Sequence, residues 1–264
     1  MSPRVISIPG VANLRDIGGY PARGGGSIRF GQVLRGEALV MPGVDTKAAI
    51  YREELTPAYR ALACKTVIDL RGAFEASSQP NAWPQATGAT LVALPMDAGG
   101  EGDATLIMRS LMNGGITSFG IEEFSRFYAA MVRDLAPVFG RVFSVLAEPG
   151  RRPALVHCAA GKDRTGMVVA LLLEALGAPR DDVVADYAYT EVLRPSRVDA
   201  YRDKLAAAGV DPDAVRMLFE TPAPAMRRAL EGIEAEFDSI EAYLTGPAGV
   251  DPRALERLRD TLIE

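Results

Sequence analysis

The chain has 264 residues, of which 48% are hydrophobic and 24% charged, as is ordinary for a soluble globular protein. Its net charge of −5 provides no global positive field, which argues against nonspecific nucleic-acid binding. Two widely separated cysteines and a single histidine, His157, make a disulfide framework, a metal site and a Ser-His-Asp hydrolase poor interpretations, and we expect neither metal nor cofactor.

The N-terminus lacks a positively charged region followed by an apolar core, and the longest apolar run is too short to span a bilayer. We therefore expect a cytoplasmic protein without a membrane span, although secretion without a cleavable signal stays open. Glycines then punctuate two short strands, one within the motif Asn-Leu-Arg-Asp-Ile-Gly-Gly-Tyr at 13–20 and one over residues 28–34.

A helix start at Thr56 and Pro57 leads into a predicted strand over residues 66–70. Asp69 and Arg71 lie near the carboxyl end of that strand, which is where open α/β sheets bind ligands. These side chains either shape a pocket and orient a catalytic cation, or simply satisfy loop amides.

Residues 82–88 contain Trp-Pro and predict a loop, and residues 90–94 predict a buried strand that leads to Asp97. Between residues 98 and 120, glycines flank an amphipathic, Met-rich stretch at 104–112. Such hinges favour a mobile lid, with a helix packed on the core as the alternative. Helical patterns follow over residues 121–134 and 137–147.

The most informative stretch is His-Cys-Ala-Ala-Gly-Lys-Asp-Arg-Thr-Gly at 157–166, which joins a short buried strand to an apolar helix. A loop of this kind offers backbone N–H groups and a helix N-terminus to a phosphoryl group. Cations and the helix terminus favour the thiolate of Cys158, and Arg164 can hold phosphoryl oxygens with two parallel N–H bonds. The predicted phosphate-binding residues are Ala159, Ala160, Gly161, Lys162, Asp163 and Arg164.

The alternative is a buried structural cysteine, which leaves Lys162, Asp163 and Arg164 together unexplained. A nucleotide-binding P-loop is excluded, because it would need glycine at Val156 and Ser or Thr at Asp163. Cys64 is interpreted as structural.

The last eighty residues predict helices almost throughout, including 181–192, 196–208 and starts at the Asp-Pro pairs 211–212 and 251–252. Tyr187, Tyr189 and Arg194 could face the pocket, with core packing favoured for the tyrosines. No composition break marks a second domain, so we predict one domain over 1–264, with a possible lid insertion at 98–135 and a helical C-terminal part at 181–264.

Three stretches, the motif at 13–20, Val-Ile-Asp-Leu-Arg at 67–71 and the loop at 157–166, resemble the bacterial PtpB-like tyrosine phosphatases, related to atypical dual-specificity and lipid phosphatases. The resemblance implies an α/β cysteine-phosphatase fold: a central, mostly parallel sheet flanked by helices, with a helical lid and C-terminal region. It also implies that Cys158 is the nucleophile and Asp163 the general acid, with Asp97 as a rival for that role. We expect Thr165 to donate to the sulfur and His157 to order the loop.

The predicted reaction is phosphomonoester hydrolysis through a phosphocysteine, with phosphate as product and inhibitor. Phosphotyrosine in a phosphorylated protein is the first choice of substrate. Lys162 is a second cation beside Arg164 and would favour highly charged head groups. Phosphoinositide or dual-specificity hydrolysis is therefore the alternative. Two other classes also remain: a phosphate-binding module without catalysis, and a cysteine enzyme of sulfur or arsenate chemistry.

Overall fold

The structure is a computed structural model that describes residues 4–97 and 99–264. Its strands, in chain order, are β1 (Arg15–Asp16), β2 (Val33–Gly36), β3 (Leu39–Val40), β4 (Ala49–Ile50), β5 (Thr66–Asp69), β6 (Thr90–Ala93) and β7 (Ala154–His157). Five of them form one sheet in the order β1-β2-β7-β5-β6, in which only the β1–β2 pair is antiparallel. The strands β3 and β4 form a separate parallel pair.

Helices make up most of the remaining chain. They are α1 (Thr56–Arg60), α2 (Ala73–Ser78), α3 (Trp83–Thr87), α4 (Ala104–Met112), α5 (Ile121–Asp134), α6 (Ala136–Ala147), α7 (Asp163–Ala175), α8 (Arg180–Ala188), α9 (Thr190–Leu193), α10 (Arg202–Ala207), α11 (Ala223–Phe237), α12 (Ile240–Thr245) and α13 (Pro252–Leu262). Short 3-10 helices cover Glu53–Leu55, Val198–Tyr201 and Arg216–Phe219. No helix in the described ranges is long and apolar enough to cross a membrane.

The central strand β7 is buried along its whole length, because it pairs in parallel with β2 on one side and β5 on the other. Successive side chains of a strand point to opposite faces, so its residues divide between two cores. Leu155 packs with Val67 and Trp83 in one core, whereas Val156 packs with Ile68 in the other, among helices α5, α6 and α7. Both faces of the sheet are therefore covered.

The predicted α/β class with a mostly parallel sheet between helices is confirmed. Helices α11, α12 and α13 contribute Leu230, Leu244 and Leu258 to the same core as Val156. The helical C-terminal part thus packs on the sheet, while the division of 1–264 into domains stays a prediction. The amphipathic stretch is helix α4, and Leu111 on it is fully buried.

Four local predictions were wrong. The strand predicted over residues 28–34 begins only at Val33, as β2, and Ile28 forms an isolated bridge with Ile263 instead. Residues 82–88 form helix α3 rather than a loop, since the Asn81 side chain accepts the N–H of Trp83 at 3.0 Å and Gly88, with φ of +81°, ends the helix. Strand β6 is an exposed edge strand, with Leu91 44% exposed, rather than a buried one. No helix starts at the Asp-Pro pair at 211–212, where the Asp211 side chain instead accepts the N–H of Asp213 in a turn.

Candidate active site

The loop at 157–166 leaves β7 at the carboxyl edge of the parallel strands, as its strand-to-helix pattern predicts. Cys158, at its start, is 2% exposed and lines a cavity of about 350 Å³. The loop lies against the end of β2, so closely that a Cβ atom on Gly161 would lie 2.2 Å from the carbonyl oxygen of Gly36. Gly161 also has φ of +67°, a left-handed conformation that glycine adopts without strain. Glycine is therefore required at this turn.

The main-chain N–H groups of residues 159–164 are six potential donors at the start of helix α7. Within the described residues, no hydrogen bond uses any of these six groups as a donor. They belong to the loop after Cys158 and to the first turn of α7, which begins at Asp163. Unpaired amides at a helix N-terminus carry partial positive charge and form an anion-binding site.

Arg164 contacts a carboxylate that the sequence interpretation missed. Its Nη1 and Nη2 donate to Oε2 and Oε1 of Glu75 on α2, at 2.5 and 2.9 Å. Although burial raises it, the Arg164 charge and hydrogen bonds hold the pKa of Glu75 below its ordinary value, so Glu75 is ionised at neutral pH. Glu75 Oε2 also accepts from Thr105 Oγ1 on α4 at 3.1 Å. Glu75 therefore connects the loop arginine to the helix that was predicted as a lid.

Two buried donors in the loop lack an acceptor among the described residues: Nε of Arg164 and Oγ1 of Thr165. A buried donor without a partner is unfavourable by about 1–3 kcal/mol, so orphan donors at a site demand an explanation. Phosphoryl oxygens would supply an acceptor for Arg164 Nε, because the two Nη groups are already held by Glu75.

Asp163 lines the same cavity as Cys158, with 19% of its side chain exposed. Its Oδ1 accepts from Tyr128 Oη at 2.9 Å, and Tyr128 Oη lies 2.8 Å from Tyr187 Oη. Burial and the Asp163 charge raise the pKa of Tyr128 well above its usual value, so that its phenol stays protonated and donates. Tyr187 is thus buried, as predicted, and contributes to the site through Tyr128.

Asp97, the rival for the general acid, has a different environment. Its side chain is exposed and accepts the N–H of Ala73 at 2.9 Å, at the start of α2. It is absent from the described residues that line the cavity of Cys158. The structure therefore brings Asp163, and not Asp97, together with the thiol.

Lys162 lines the cavity, but its ammonium group is occupied. Nζ donates to the carbonyl oxygens of Leu218 at 2.5 Å and Glu220 at 3.1 Å, and it lies 3.5 Å from Asp163 Oδ1. An ammonium group has three donors. Lys162 thus connects the loop to the segment before α11. Its contact with a phosphoryl group stays a prediction.

His157 and Asp69 lie at the start of the loop and are joined to each other through Asn81. The amide of Asn81 donates to Asp69 Oδ2 at 2.9 Å and lies 2.8 Å from His157 Nε2, while His157 Nδ1 lies 2.9 Å from the Cys158 carbonyl oxygen. Burial lowers the pKa of His157, so the ring is neutral, with Nε2 accepting and Nδ1 donating. Asp69 also forms a buried ion pair with Arg71 at 2.7 Å, and Arg71 lines the cavity.

Comparison with known proteins agrees with this geometry. The model of the tyrosine phosphatase family matches residues 6–264, which is nearly the whole chain. The chain belongs to the tyrosine phosphatase family.

Two relatives extend over most of this phosphatase. A protein of Cupriavidus necator, named as a candidate tyrosine-protein phosphatase, is 28% identical over 91% of this chain and 83% of its own length. The triple specificity protein phosphatase PtpB of Mycobacterium tuberculosis is 27% identical over 98% of this chain and 99% of its own. Among solved structures, the core catalytic domain of the PP-IP phosphatase SIW14 from S. cerevisiae, in complex with citrate, matches 64% of this chain and 77% of its own at 13% identity, with a TM-score of 0.33.

Asn13 of the N-terminal motif and Arg35 at the end of β2 both hold the loop of the phosphatase through its backbone carbonyls. Asn13 Nδ2 donates to the carbonyl oxygens of Ala160 and Gly161 at 3.1 and 2.9 Å, and Arg35 Nη2 donates to the latter at 2.8 Å. Arg15 and Arg35 both pair with Asp186 on α8, which is 2% exposed. The motif at 13–20 and the loop at 157–166 are therefore parts of one site, although they are far apart in the chain.

Sequence reasoning missed Glu75 and Glu37 of the phosphatase. Glu75 occupies the first turn of the helix that follows β5, and an acidic residue at that position, close after Asp69 and Arg71, was a usable signal. Glu37 follows β2 directly and pairs with Arg194 at 3.1 Å. No local pattern reveals that pair, since the two residues lie 157 positions apart.

Proposed function

We propose that the phosphatase hydrolyses phosphotyrosine in protein substrates through a phosphocysteine on Cys158. The observation that carries this proposal is the set of unpaired donors, six loop amides and Arg164 Nε, in the loop that also bears the thiol. A phosphoryl group bound there would present three oxygens to these donors and its phosphorus to Cys158.

In the first step Cys158 Sγ attacks phosphorus and the bond from phosphorus to the leaving oxygen breaks. Asp163 gives its proton to that oxygen, and Arg164 stabilises the charge on the equatorial oxygens. In the second step the oxygen of a water molecule attacks phosphorus and gives a proton to the Asp163 carboxylate. The bond from sulfur to phosphorus breaks, so Cys158 returns to thiolate and inorganic phosphate leaves. Thr165 Oγ1, a buried donor without another acceptor in the described chain, is available to the departing sulfur.

The walls of the cavity support phosphotyrosine as the first choice. Phe74, Met108, Phe127 and Phe219 line it and provide apolar contacts for an aromatic ring. Lys162, which would favour phosphoinositides, already donates to two backbone carbonyls. Phosphoinositide or dual-specificity hydrolysis is the second candidate, supported by the position of Lys162 on the cavity wall.

The test is phosphate release from a phosphotyrosine peptide, a phosphoserine peptide and phosphoinositides under reducing conditions. The variant Cys158→Ser should bind these substrates and release no phosphate. Cys64→Ser is the matched control, because burial raises the pKa of the Cys64 thiol to about 12 and it is unreactive. We expect the control to keep wild-type activity, with the phosphotyrosine peptide as the best substrate.

Turnover by Cys158→Ser at the wild-type rate would refute the covalent mechanism. A preference for phosphoinositides would replace the proposed substrate by the second candidate. Lys162→Ala separates the candidates further: if it lowers activity equally on all three substrate types, Lys162 has no role in selecting charged head groups.

A further inference from the structure

Four cations outside the loop line the cavity of Cys158, and one of them, Arg71, is paired with Asp69. The other three are Lys47, Arg194 and Arg197, which we call the outer basic cluster. Arg194 follows α9, Arg197 precedes the 3-10 helix Val198–Tyr201, and Lys47 lies between β3 and β4. Arg194 Nε lies 3.1 Å and Arg197 Nη2 3.9 Å from the same oxygen, Oε2 of Glu37. Arg197 Nη1 also donates to the carbonyl oxygen of Lys47. Contacts between these segments thus hold the cluster together.

The other cations on the cavity wall each have an acidic partner. Arg164 pairs with Glu75 and Arg71 with Asp69, and Lys162 lies close to Asp163. The described residues provide the outer basic cluster with one carboxylate only, Glu37, so the cluster carries an excess of two positive charges. The Glu37 side chain is 1% exposed, and its Oε1 is taken by the N–H of Ala12 at 2.8 Å.

The two guanidinium groups remain reachable while they are held in place. The side chains of Arg194 and Arg197 are 14% and 32% exposed, and both belong to the cavity wall. A guanidinium group that is already oriented loses little side-chain freedom on binding and suits a carboxylate. Glu37 sets this orientation beside the catalytic loop, since the next residue, Ala38, donates its N–H to the Ala159 carbonyl at 3.0 Å.

We propose that the outer basic cluster is a second anion subsite, which selects phosphotyrosine segments carrying an acidic side chain next to the phosphotyrosine. This inference rests on the proposed phosphotyrosine activity. Successive residues of an extended peptide advance by about 3.3–3.6 Å, so a flanking Glu or Asp can reach a site beside the loop while the ring occupies the apolar cavity. The excess positive charge attracts such a carboxylate, and the attraction weakens as salt concentration rises.

The experiment uses pairs of phosphotyrosine peptides. The two peptides of a pair are identical except at one position, which is Glu in one peptide and Gln in the other. The positions tested are the two residues before the phosphotyrosine and the two residues after it. The measured quantity is the ratio of kcat/KM for the Glu peptide to that for the Gln peptide. For at least one position we expect a ratio of about 5 to 10 in the wild type, falling to about 1 in the double variant Arg194→Gln/Arg197→Gln. A ratio cancels any uniform loss of activity from structural damage.

The matched control is Arg253→Gln/Arg257→Gln, which changes net charge equally on exposed positions of α13. The control should keep the wild-type ratio. A ratio of 1 at every position in the wild type, or one that survives in the cluster variant, would overturn the inference while leaving the phosphatase activity intact.

Two further outcomes separate the sources of the second anion. If the cluster variant loses activity on a multiply phosphorylated inositol head group and keeps its peptide ratio, the cluster binds substrate phosphate and the peptide proposal is wrong. If the wild type releases phosphate from neither peptide of any pair, the proposed phosphotyrosine activity itself fails, and the subsite proposal fails with it.

Discussion

Replacing Asp186 with asparagine keeps the shape of a buried side chain and removes its charge. Asp186 is 2% exposed and pairs with Arg15 at 3.0 Å and with Arg35 at 2.5 Å, and both arginines are at most 1% exposed. The substitution leaves two guanidinium groups buried without their counter-ion, which typically lowers stability by about 3–5 kcal/mol. A chain of 264 residues has an unfolding entropy of about 0.55 kcal/mol/K, so we expect Tm to fall by about 5–9 °C.

The same helix supplies the control. Asp181 on α8 also pairs with an arginine, Arg227, at 2.5 Å, but its side chain is 88% exposed. Solvent screens this pair, so Asp181→Asn should change Tm by about 2 °C or less. The assay is thermal unfolding of wild type, Asp186→Asn and Asp181→Asn at neutral pH. Equal Tm shifts for the two variants would refute the reasoning that burial of Asp186 makes its ion pairs decisive.

Acid should weaken the wild type in a defined window. Burial raises the pKa of Asp186, but the charges of Arg15 and Arg35 outweigh it and lower the pKa to about 2, against 3.8 without these contacts. The unfolded state therefore binds a proton first as the pH falls, and stability is lost on the acid side. The shift corresponds to about 2 kcal/mol, fully present above about pH 5 and roughly half lost by pH 3. Asp186→Asn has no carboxyl group at this position and should lack this pH-dependent stabilisation. The difference in free energy of unfolding between wild type and Asp186→Asn should therefore become smaller between about pH 5 and pH 3.

Two other substitutions test the loop. Glu75→Gln removes the charge that orients Arg164, and we expect kcat/KM for p-nitrophenyl phosphate to fall by about 10- to 100-fold, whereas an unchanged value would show that Glu75 does not position the arginine. Gly161→Ala places a Cβ atom 2.2 Å from the Gly36 carbonyl oxygen at a positive φ, so we expect a loss of about 2–4 kcal/mol in urea unfolding. Gly232→Ala, where a Cβ meets nothing within 4 Å, should leave stability unchanged or slightly higher, and equal losses at both positions would contradict the clash.

The sequence by itself determined the strand, loop and helix that carry Cys158 and Arg164. These residues are contiguous, and their geometry follows from local rules: a buried strand, a glycine where φ is positive, and a helix whose first amides stay unpaired. The amphipathic pattern of α4 was predictable for the same reason, since it depends on residues close together in the chain. The mostly parallel sheet was an expectation from the family resemblance and not from local pattern.

Only the tertiary structure decided which groups surround that loop. Glu75 and Arg164 lie 89 positions apart, and Asp186 lies 171 positions from Arg15. The pair of Glu75 and Arg164 forms because β5 is the neighbour of β7 in the sheet, which brings the segments after these two parallel strands to one edge. The pair of Arg15 and Asp186 forms because helix α8 packs close to strand β1. Strand order is a property of the whole core, and sequence periodicity contains no information about it. Which side chains contact the loop at 157–166 was therefore decided by the order of the strands in the sheet.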